Sequence, residues 1–435
     1  PTIRVPTRRT RSEPPPRPPV RYGGRAVLPP TSFPKNEIKV LLLENVHPSA
    51  DELFGAEGFQ IERVSGALKE DELIERVRDA HVLGIRSKTR VTARVLDEAR
   101  RLLSVGAFCI GTNQIDLVHA NARGVPVFNA PFSNTRSVAE MVIAETIILS
   151  RQLFDRSREV HDGTWKKLAT NCHEIRGKTL GIVGYGHIGR QVGVLAEMVG
   201  MHVIFHDIAA RLPMGNNRAM PGLHDLLAVS DFVTLHVPET PQTRLMIGAA
   251  ELAHMKPSAC LLNASRGTVV DLEALAEAIK TKRLAGAAVD VYPEEPESNS
   301  EGFSSVLRGL PNVVLTPHIG GSTEEAQEAI GREVAGALVK FVNSGATTGA
   351  VNFPQLELPQ AKDTHRVLNV HRNVPGVIRD ITAIISERGA NIHAQMLATD
   401  PTIGYMVMDL DQSLSHEVKK AVAALETSIK TRILY

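Results

Sequence analysis

Short apolar segments alternate with amphipathic segments along most of this chain. Segments 38–43, 178–183 and 313–315 are largely leucine, isoleucine and valine, which is typical of strands buried in a parallel sheet. Helical patterns fit between such runs, for example over 70–78. The alternation of strand and helix predicts an α/β protein built on doubly wound parallel sheets.

Two such lobes are expected, one after the other along the chain. Further strands of the first lobe are predicted near 60–64, 81–85, 104–107 and 125–128. Long helical patterns over 137–161 and 324–343 are predicted to cross between the lobes. The first lobe would therefore be discontinuous, with residues 36–133 and 317–351, and the second would span 134–316. A cleft between two lobes permits hinge closure that excludes water.

The last part of the chain has a different pattern. Residues 364–435 follow a proline-containing linker at 352–363. Their pattern is strand, helix, strand, strand, helix, strand, which predicts a small antiparallel sheet with helices on one face.

Composition excludes several classes of protein. A net charge of +1 provides no field that would attract nucleic acid or a membrane surface, and no apolar run reaches the roughly 18 residues of a membrane span. The three cysteines, Cys109, Cys172 and Cys260, are odd in number and lack CxxC spacing, so reduced thiols in a reducing compartment are expected. No metal site is predicted.

Residues 1–35 form a segment of unlike composition. They hold many prolines and seven arginines but only one acid, Glu13. This composition predicts a disordered, extended tail. An organelle transit peptide is the alternative, but the prolines forbid a long amphipathic helix, so a cytosolic extension is favoured.

A glycine-rich turn directly follows the predicted strand at 178–183. Gly184, Gly186 and Gly189 have the spacing that allows a tight turn, close approach of a pyrophosphate, and close packing of helix on strand. The helix that follows would aim its first amides at phosphates. Asp207, about 20 residues further on, suits the ribose hydroxyls and would repel a 2′-phosphate, so NAD is favoured over NADP. A bare tight turn is the alternative, and the flanking strands with Asp207 argue against it.

Three chemically matched side chains follow this turn in sequence order. Arg266, Glu295 and His318 each come shortly after an apolar strand end, where ligands bind in open parallel sheets. A guanidinium suits a carboxylate, an imidazole can take a hydroxyl proton, and a carboxylate beside it would orient the ring. Alone, each could be a surface ion pair, a solvated turn or a core histidine. Their shared placement predicts hydride transfer at a carbon next to a carboxylate.

These segments resemble the D-2-hydroxyacid dehydrogenase family, and in particular its members that act on a phosphorylated substrate and end in an ACT domain. The resemblance covers the chain from about residue 38 to residue 435. It is carried by IRSKT (85–89), FCIGTNQIDL (108–117), NAPFSNTRSVAE (129–140), GKTLGIVGYGHIG (177–189), NASRGTVVD (263–271), DVYPEEP (290–296) and TPHIGGSTEEAQ (316–327).

The resemblance implies a discontinuous substrate-binding lobe, a Rossmann nucleotide lobe and a C-terminal βαββαβ ACT domain. It implies that Arg266 binds and polarises the 2-oxo acid group, and that Glu295 supports His318 as proton acceptor in oxidation. The implied NAD-binding residues are Gly184, Gly186, His187, Ile188, Gly189, Asp207, Ala264, Ser265, Asp290, Ile319, Gly320 and Gly321.

A cationic cluster follows the predicted strand at 81–85. Arg86, Ser87 and Lys88 suit a phosphate, although ordinary surface charge explains such residues equally well. The resemblance implies that they contact the substrate phosphate, with Asn113 and Asn134 also in the cleft.

The implied activity is NAD-dependent oxidation of 3-phospho-D-glycerate to 3-phosphooxypyruvate, the first step of L-serine biosynthesis, with feedback inhibition by L-serine. One alternative is another 2-hydroxy acid, including the reduction of 2-oxoglutarate to 2-hydroxyglutarate. Another is a non-catalytic NAD-sensing regulator on the same fold. The terminal module and the cluster at 86–88 favour metabolism.

The resemblance also implies regulation and assembly. Serine would be held by His371, Asn373 and Asn391, although the two asparagines could merely cap turns. Trp165 and Lys167 are similar to positions that reach a neighbouring subunit's cleft, and a homotetramer formed through the nucleotide and ACT domains is expected. A cytoplasmic location is expected. The paired-glycine hinge of some bacterial relatives is replaced by separated glycines at 345 and 349.

Overall fold

The computed structural model of the chain describes residues 32–296, 302–359 and 361–435, which form three sheets with their helices. The predicted tail lies outside the described residues as far as residue 31, and so does residue 360 of the predicted linker. The predicted fold class is confirmed: two parallel α/β sheets precede a small antiparallel one.

The first sheet carries the lobe that is predicted to bind substrate, called the substrate lobe below. Its elements are β1 Lys39–Leu42, α1 Ser49–Ala56, β2 Gln60–Arg63, α2 Glu70–Val77, β3 Val82–Ile85, α3 Ala93–Glu98, β4 Ser104–Ala107, α4 Leu117–Ala122 and β5 Val127–Asn129. The strands are parallel in the order β2-β1-β3-β4-β5, and β3 and β4 are buried throughout because helices cover both faces. The order reverses between β1 and β3, so the loops after these strands open a crevice.

The second sheet carries the nucleotide lobe. Its elements are α5 Thr135–Arg151, α6 Leu153–His161, β6 Thr179–Val183, α7 His187–Met198, β7 His202–His206, β8 Arg218–Ala219, α8 Leu223–Val229, β9 Phe232–Leu235, α9 Ala249–His254, β10 Cys260–Asn263, α10 Leu272–Lys280, β11 Gly286–Val289 and β12 Val313–Leu315. The seven strands are parallel in the order β12-β11-β10-β9-β6-β7-β8. Here the order reverses between β6 and β9, directly beside the glycine-rich turn.

Two long helical segments join the lobes. The pattern at 137–161, predicted as one helix, is two helices, because Gln152 takes a left-handed conformation (φ 52°) between α5 and α6. Helix α5 packs against α7 and against β10, β11 and β12. Helix α11 (Glu324–Ser344) instead packs against α1, β4 and β5, which returns the chain to the first sheet as predicted.

The third sheet has the predicted βαββαβ order. Its elements are β13 Thr364–Arg372, α12 Val377–Glu387, β14 Ile392–Thr399, β15 Ile403–Asp411, α13 Ser415–Ala423 and β16 Ser428–Leu434, with antiparallel strands in the order β14-β15-β13-β16. Both helices cover one face. The other face packs on the substrate lobe, where Leu368, Val370 and Tyr405 share a core with Phe128 and Phe341.

A buried ion pair anchors this sheet to the segment before it. Arg366 donates to both carboxylate oxygens of Asp409, at 2.7 and 2.8 Å, and also to the carbonyls of Ser344 (3.1 Å) and Leu358 (2.8 Å). Both charged side chains are almost fully buried. The ACT sheet is therefore fastened to the end of α11 by a fully hydrogen-bonded pair.

Among the described residues, no helix combines the length and apolar character needed to cross a bilayer.

Candidate active site between the two lobes

The glycine-rich turn has the geometry of a phosphate cradle. Gly184 has φ 91°, a conformation that side-chain-bearing residues rarely adopt. A Cβ on Gly189 would collide with the Gly184 carbonyl, so the third glycine lets α7 begin close to the turn. A Cβ on Gly186 would meet nothing within 4 Å, so the middle of the turn faces open space. His187 and Ile188 begin α7, whose first N–H groups have no carbonyl partner within the helix.

Asp207 lies beside this turn at the end of β7. Its carboxylate accepts hydrogen bonds from the N–H groups of Tyr185 and Ala209, both at 2.8 Å, and Arg211 Nε lies 3.4 Å from it. The acid is thus held against the cradle, where a bound dinucleotide would present its ribose.

Arg266 lies in a tightly built loop after β10. Asn263 organises the loop: its Oδ1 accepts from the N–H (3.1 Å) and hydroxyl (2.8 Å) of Ser265, and its Nδ2 donates to the Arg266 carbonyl (3.0 Å). A Cβ on Gly267 would collide with the backbone of Tyr292. The absence of a side chain there lets the Arg266 loop pack directly on the loop that follows β11.

That neighbouring loop carries Glu295, which is paired with His318. Nδ1 of His318 lies 2.8 and 3.0 Å from the two carboxylate oxygens of Glu295. The side chains are 49% and 37% exposed, so the pair faces the cleft and not the core. His318 has a left-handed backbone (φ 55°), and its N–H donates to the Asp290 carbonyl at 2.8 Å.

The charges around this pair set its protonation. The hydrogen bond with Glu295 raises the pKa of His318 against the opposing effect of burial, and the Asp290 carboxylate raises it further. Burial alone would raise the pKa of Glu295, but the His318 hydrogen bond and the charges of His318 and Arg266 hold it below its usual range. A carboxylate beside an imidazole that can gain a proton is the arrangement that proton transfer requires.

Asp290 holds the turn that carries the histidine. Its carboxylate accepts from the N–H groups of Ile319 (2.8 Å) and Gly320 (2.9 Å) and from the Thr316 hydroxyl (2.6 Å). The Ser265 hydroxyl is likewise turned inward, toward Asn263. These two predicted cofactor residues therefore use their side chains within the protein, whereas Ile319 is half-exposed toward solvent.

The substrate lobe brings its own residues to this cleft. Arg86, Ser87 and Lys88 follow β3 directly, with the side chains of Ser87 and Lys88 exposed. The Arg86 and Arg266 charges both act on the thiol of Cys109, whose pKa burial raises to about 11. Both guanidinium groups therefore lie within electrostatic reach of the half-buried Cys109 thiol, although they belong to different lobes.

The two predicted asparagines also border this region. Asn113 Oδ1 and Arg266 Nη2 would lie 3.1 and 3.9 Å from a Cβ on Gly111, so they flank the same point. Asn134 immediately precedes α5 and lies against Gly321, and its Oδ1 is buried without a hydrogen-bond partner among the described residues. Such an atom suits a donor supplied by a ligand. The described residues form no cluster of three or more His, Cys, Asp or Glu that could hold a metal ion.

Sequence reasoning missed the residues that position this site. Glu44 accepts backbone N–H groups of the 86–89 loop, and Gln114 donates to the Arg86 carbonyl at 2.7 Å. Asn263 and Thr316 perform similar tasks in the other lobe. Asn263, Gln114 and Thr316 lie inside the motifs that carry the family resemblance, beside predicted site residues, whereas nothing local marked Glu44.

The predicted serine-binding residues do not meet within one chain. His371 is buried opposite Gly404, and Asn373 donates to the Asp400 carbonyl at 2.7 Å, both at one end of the sheet. Asn391 donates its N–H to Asp411 at the opposite end, seven residues along β15, which is roughly 24 Å away.

Known proteins share this architecture. Residues 143–320 match the family model described as D-isomer specific 2-hydroxyacid dehydrogenase, NAD binding domain, and residues 368–430 match the AHAS small subunit-like ACT domain. The crystal structure of the TT0316 protein from Thermus thermophilus is similar with a TM-score of 0.63 and 32% identity, covering 70% of this chain and 97% of that one.

Curated relatives match over almost the whole length. D-3-phosphoglycerate dehydrogenase of Dictyostelium discoideum is 57% identical over 407 residues, which cover 94% of this chain and 100% of the relative. The protein of that name from Escherichia coli is 51% identical and covers 93% of this chain and 99% of its own length. The chain therefore belongs to the D-3-phosphoglycerate dehydrogenases, within the NAD-binding D-isomer specific 2-hydroxyacid dehydrogenase family.

Proposed function

We propose that this enzyme uses NAD to oxidise 3-phospho-D-glycerate to 3-phosphooxypyruvate, the first step of L-serine biosynthesis. The observation that carries the proposal is that the Arg266 charge acts on the His318–Glu295 pair, while Arg266 and Arg86 both act on the Cys109 thiol of the first lobe. Relatives named for this substrate align with the chain from its first lobe through its ACT domain.

The chain's own residues have separate tasks in this reaction. Arg266 binds the substrate carboxylate through its planar fork. His318 takes the proton of the C2 hydroxyl during oxidation and returns it during reduction, while Glu295 orients the ring and stabilises its charged form. NAD, when bound, supplies the hydride acceptor. The open turn at Gly186 and the carboxylate of Asp207 fit its pyrophosphate and ribose.

We further propose that residues 36–133 and 317–351 act as the substrate-binding unit and residues 134–316 as the nucleotide unit, with 352–363 leading to the ACT unit at 364–435. The phosphate is bound by side chains at 86–88. Asn134, with its unpartnered buried oxygen, and Asn113, beside Arg266, contact the rest of the substrate.

A substrate panel tests this proposal. NADH consumption is measured with 3-phosphooxypyruvate, unphosphorylated hydroxypyruvate and 2-oxoglutarate, the last as a proposed side activity. Arg86→Ala should raise KM about 10-fold or more for the phosphorylated substrate alone, because it removes a charge-assisted contact. Arg78→Ala, an exposed arginine that pairs with Glu98 on the same lobe, serves as control. Equal rates on phosphorylated and unphosphorylated substrates would refute the phosphate assignment.

The ACT domain binds a small-molecule effector, and we propose L-serine. Because His371 and Asn373 lie at one end of the sheet and Asn391 at the other, a complete site needs residues from two chains. The effector would therefore stabilise a pairing of ACT sheets. Native mass measurement and activity, each with and without serine, test both statements: inhibition without any chain association would contradict them.

Exposed apolar residues support a homotetramer. Leu153, Phe154, Val160, Trp165 and Leu168 are all exposed on or just after α6, and Met396 and Leu397 are exposed on the edge strand β14. Several large apolar side chains exposed on one short segment are typical of subunit contacts. We propose one contact through the nucleotide lobes, which would bring Trp165 and Lys167 toward a neighbour's cleft, and one through the ACT sheets. A cytoplasmic enzyme is consistent with these assignments.

A further inference from the structure

The chain turns abruptly where β1 ends. Glu44 and Asn45 are both left-handed, with φ 60° and 51°, which is uncommon for residues that carry side chains. The Glu44 N–H donates to the Gly66 carbonyl at 3.2 Å, and the residue is 8% exposed. Backbone of this kind persists only where surrounding contacts hold it, and it concentrates at functional sites.

The turn directs the Glu44 carboxylate at the loop after β3, the neighbouring strand. Oε1 accepts from the N–H groups of Arg86 (3.3 Å) and Thr89 (2.8 Å), and Oε2 accepts from that of Lys88 (3.0 Å). A single side chain thus engages three of the four backbone donors between Arg86 and Thr89. Thr89 is itself buried, so the inner side of the loop is closed.

A second side chain holds the same loop from the next strand. Gln114 Nε2 donates to the Arg86 carbonyl at 2.7 Å and to the Gly111 carbonyl at 3.2 Å. The loop at 86–89 is therefore fixed through its N–H groups by Glu44 and through a carbonyl by Gln114. Glu44 is buried and Gln114 is half-buried, whereas the side chains at 87 and 88 are exposed.

We infer that Glu44 is the positioning residue of the phosphate site. It holds the backbone so that the side chains of Arg86, Ser87 and Lys88 present a fixed set of donors. Because three amides already bind the carboxylate, they are unavailable to a phosphate, and recognition depends on the side chains and on the remaining N–H of Ser87. This inference rests on the proposed assignment of the substrate phosphate to residues 86–88.

The charge of the Glu44 carboxylate also affects phosphate binding, and it weakens binding where the positioning of the loop strengthens it. Its negative charge opposes the charge of a phosphate, so its neutralisation by itself would favour phosphate binding. However, three N–H dipoles point at it and compensate much of its field. In Glu44→Gln, an NH₂ donor would face one or more of these N–H groups, and the loop must move to relieve the repulsion. Displacement of the cations therefore outweighs the change in charge.

Steady-state kinetics of Glu44→Gln test this inference. With 3-phosphooxypyruvate, KM should rise about 10-fold or more and kcat should change little, since misplacement of binding groups by about 1 Å has effects of this size. The KM for hydroxypyruvate, which lacks the phosphate, should stay near its wild-type value. The inhibition constant of inorganic phosphate should rise with the KM of the phosphorylated substrate. Gln114→Met, which removes the other anchor, should produce a smaller change with the same selectivity.

The control variant is Glu57→Gln, which removes a half-buried carboxylate that pairs with Lys35 on the same lobe. It should leave both KM values unchanged. A KM for the phosphorylated substrate that falls in Glu44→Gln, or rises equally for both substrates, would overturn the inference. If Glu44→Gln does not fold, Gln114→Met decides: selective loss supports the anchored loop and unselective loss rejects it. Arg86→Ala separates the two proposals, because the phosphate assignment itself fails only if that variant also shows no selectivity.

Discussion

The two lobes share a doubly wound topology but present opposite groups to the cleft. After β6, the nucleotide lobe offers backbone: an open glycine turn followed by the unpaired first amides of α7. After β3, three backbone N–H groups of the substrate lobe already donate to Glu44 and are not available to a ligand. This loop therefore presents mainly side chains. One switch point therefore suits a long dinucleotide that lies along backbone, and the other suits a small anion held by cations.

The buried carboxylates of the lobes differ in the same way. Glu44 is satisfied by three N–H donors. Glu145, on α5 below the catalytic turn, has an Oε1 with no hydrogen-bond partner among the described residues. Burial, helped by the charge of Asp290, raises the pKa of Glu145 to about 8. The first acid anchors the 86–89 loop, whereas the raised pKa of the second favours its neutral form at pH 7.

The largest expected effect tests whether proton transfer belongs to the turn after β12. His318→Ala should reduce turnover by about 10²–10⁴, because the proton acceptor is lost while the substrate contacts remain. Rates of NADH consumption with 3-phosphooxypyruvate measure this. His224→Ala, which changes an exposed histidine of the nucleotide lobe, should leave turnover unchanged. Undiminished turnover in His318→Ala would remove that residue from the reaction.

The raised pKa of Glu145 predicts that the free energy of unfolding depends on pH. Between the ordinary glutamate pKa of 4.5 and about 8, the unfolded chain ionises Glu145 while the folded chain keeps its proton, so stability falls as pH rises through this window. Glu145→Gln should remove this pH dependence. Compared with its effect at pH 5, the substitution should increase the free energy of unfolding at pH 8 by roughly 2–4 kcal/mol. Denaturant midpoints at both pH values measure the change. Identical pH dependence in both proteins would show that Glu145 is ionised when folded.

Two glycine variants test separately whether the turn binds the dinucleotide and whether it packs against α7. Gly189→Ala should destabilise the fold by about 1–3 kcal/mol, because its Cβ collides with the Gly184 carbonyl. Gly186→Val should leave the melting temperature nearly unchanged and weaken NADH binding, since its side chain projects into open space. Thermal melts and NADH fluorescence titrations measure these effects. Tight NADH binding by Gly186→Val would contradict the assignment of the cradle.

The smallest expected effect concerns the pH dependence of the oxidation rate. Glu295 raises the pKa of His318, and oxidation requires the unprotonated ring, so the oxidation rate rises with pH through that pKa. Glu295→Gln should move this rise to lower pH, since the hydrogen bond and charge that favour the protonated ring are removed. The pH dependence of kcat/KM measures the shift. An unmoved profile would mean that another group sets the protonation of His318.

Much of the site could be predicted because it follows strand ends in sequence. Arg266, Glu295 and His318 each come shortly after an apolar run, and parallel strands end at one edge of a sheet. The prediction of a single helix at 137–161 was wrong because apolar periodicity does not detect a left-handed residue such as Gln152. The serine site stays a prediction: the family resemblance implies a site between the ACT sheets of two chains, and within one chain Asn391 lies far from His371 and Asn373.

By itself, the sequence determined the alternation of strand and helix, the glycine-rich turn and the order of the chemical groups, because each depends on residues near one another in the chain. Only the tertiary structure decided that Glu44 holds a loop more than 40 residues away and that His318 meets Glu295 at 2.8 Å. These contacts depend on which strands become neighbours and on backbone conformations at their ends. The periodicity of apolar residues indicates which face of a helix or strand is buried, but it does not indicate which other element that face contacts.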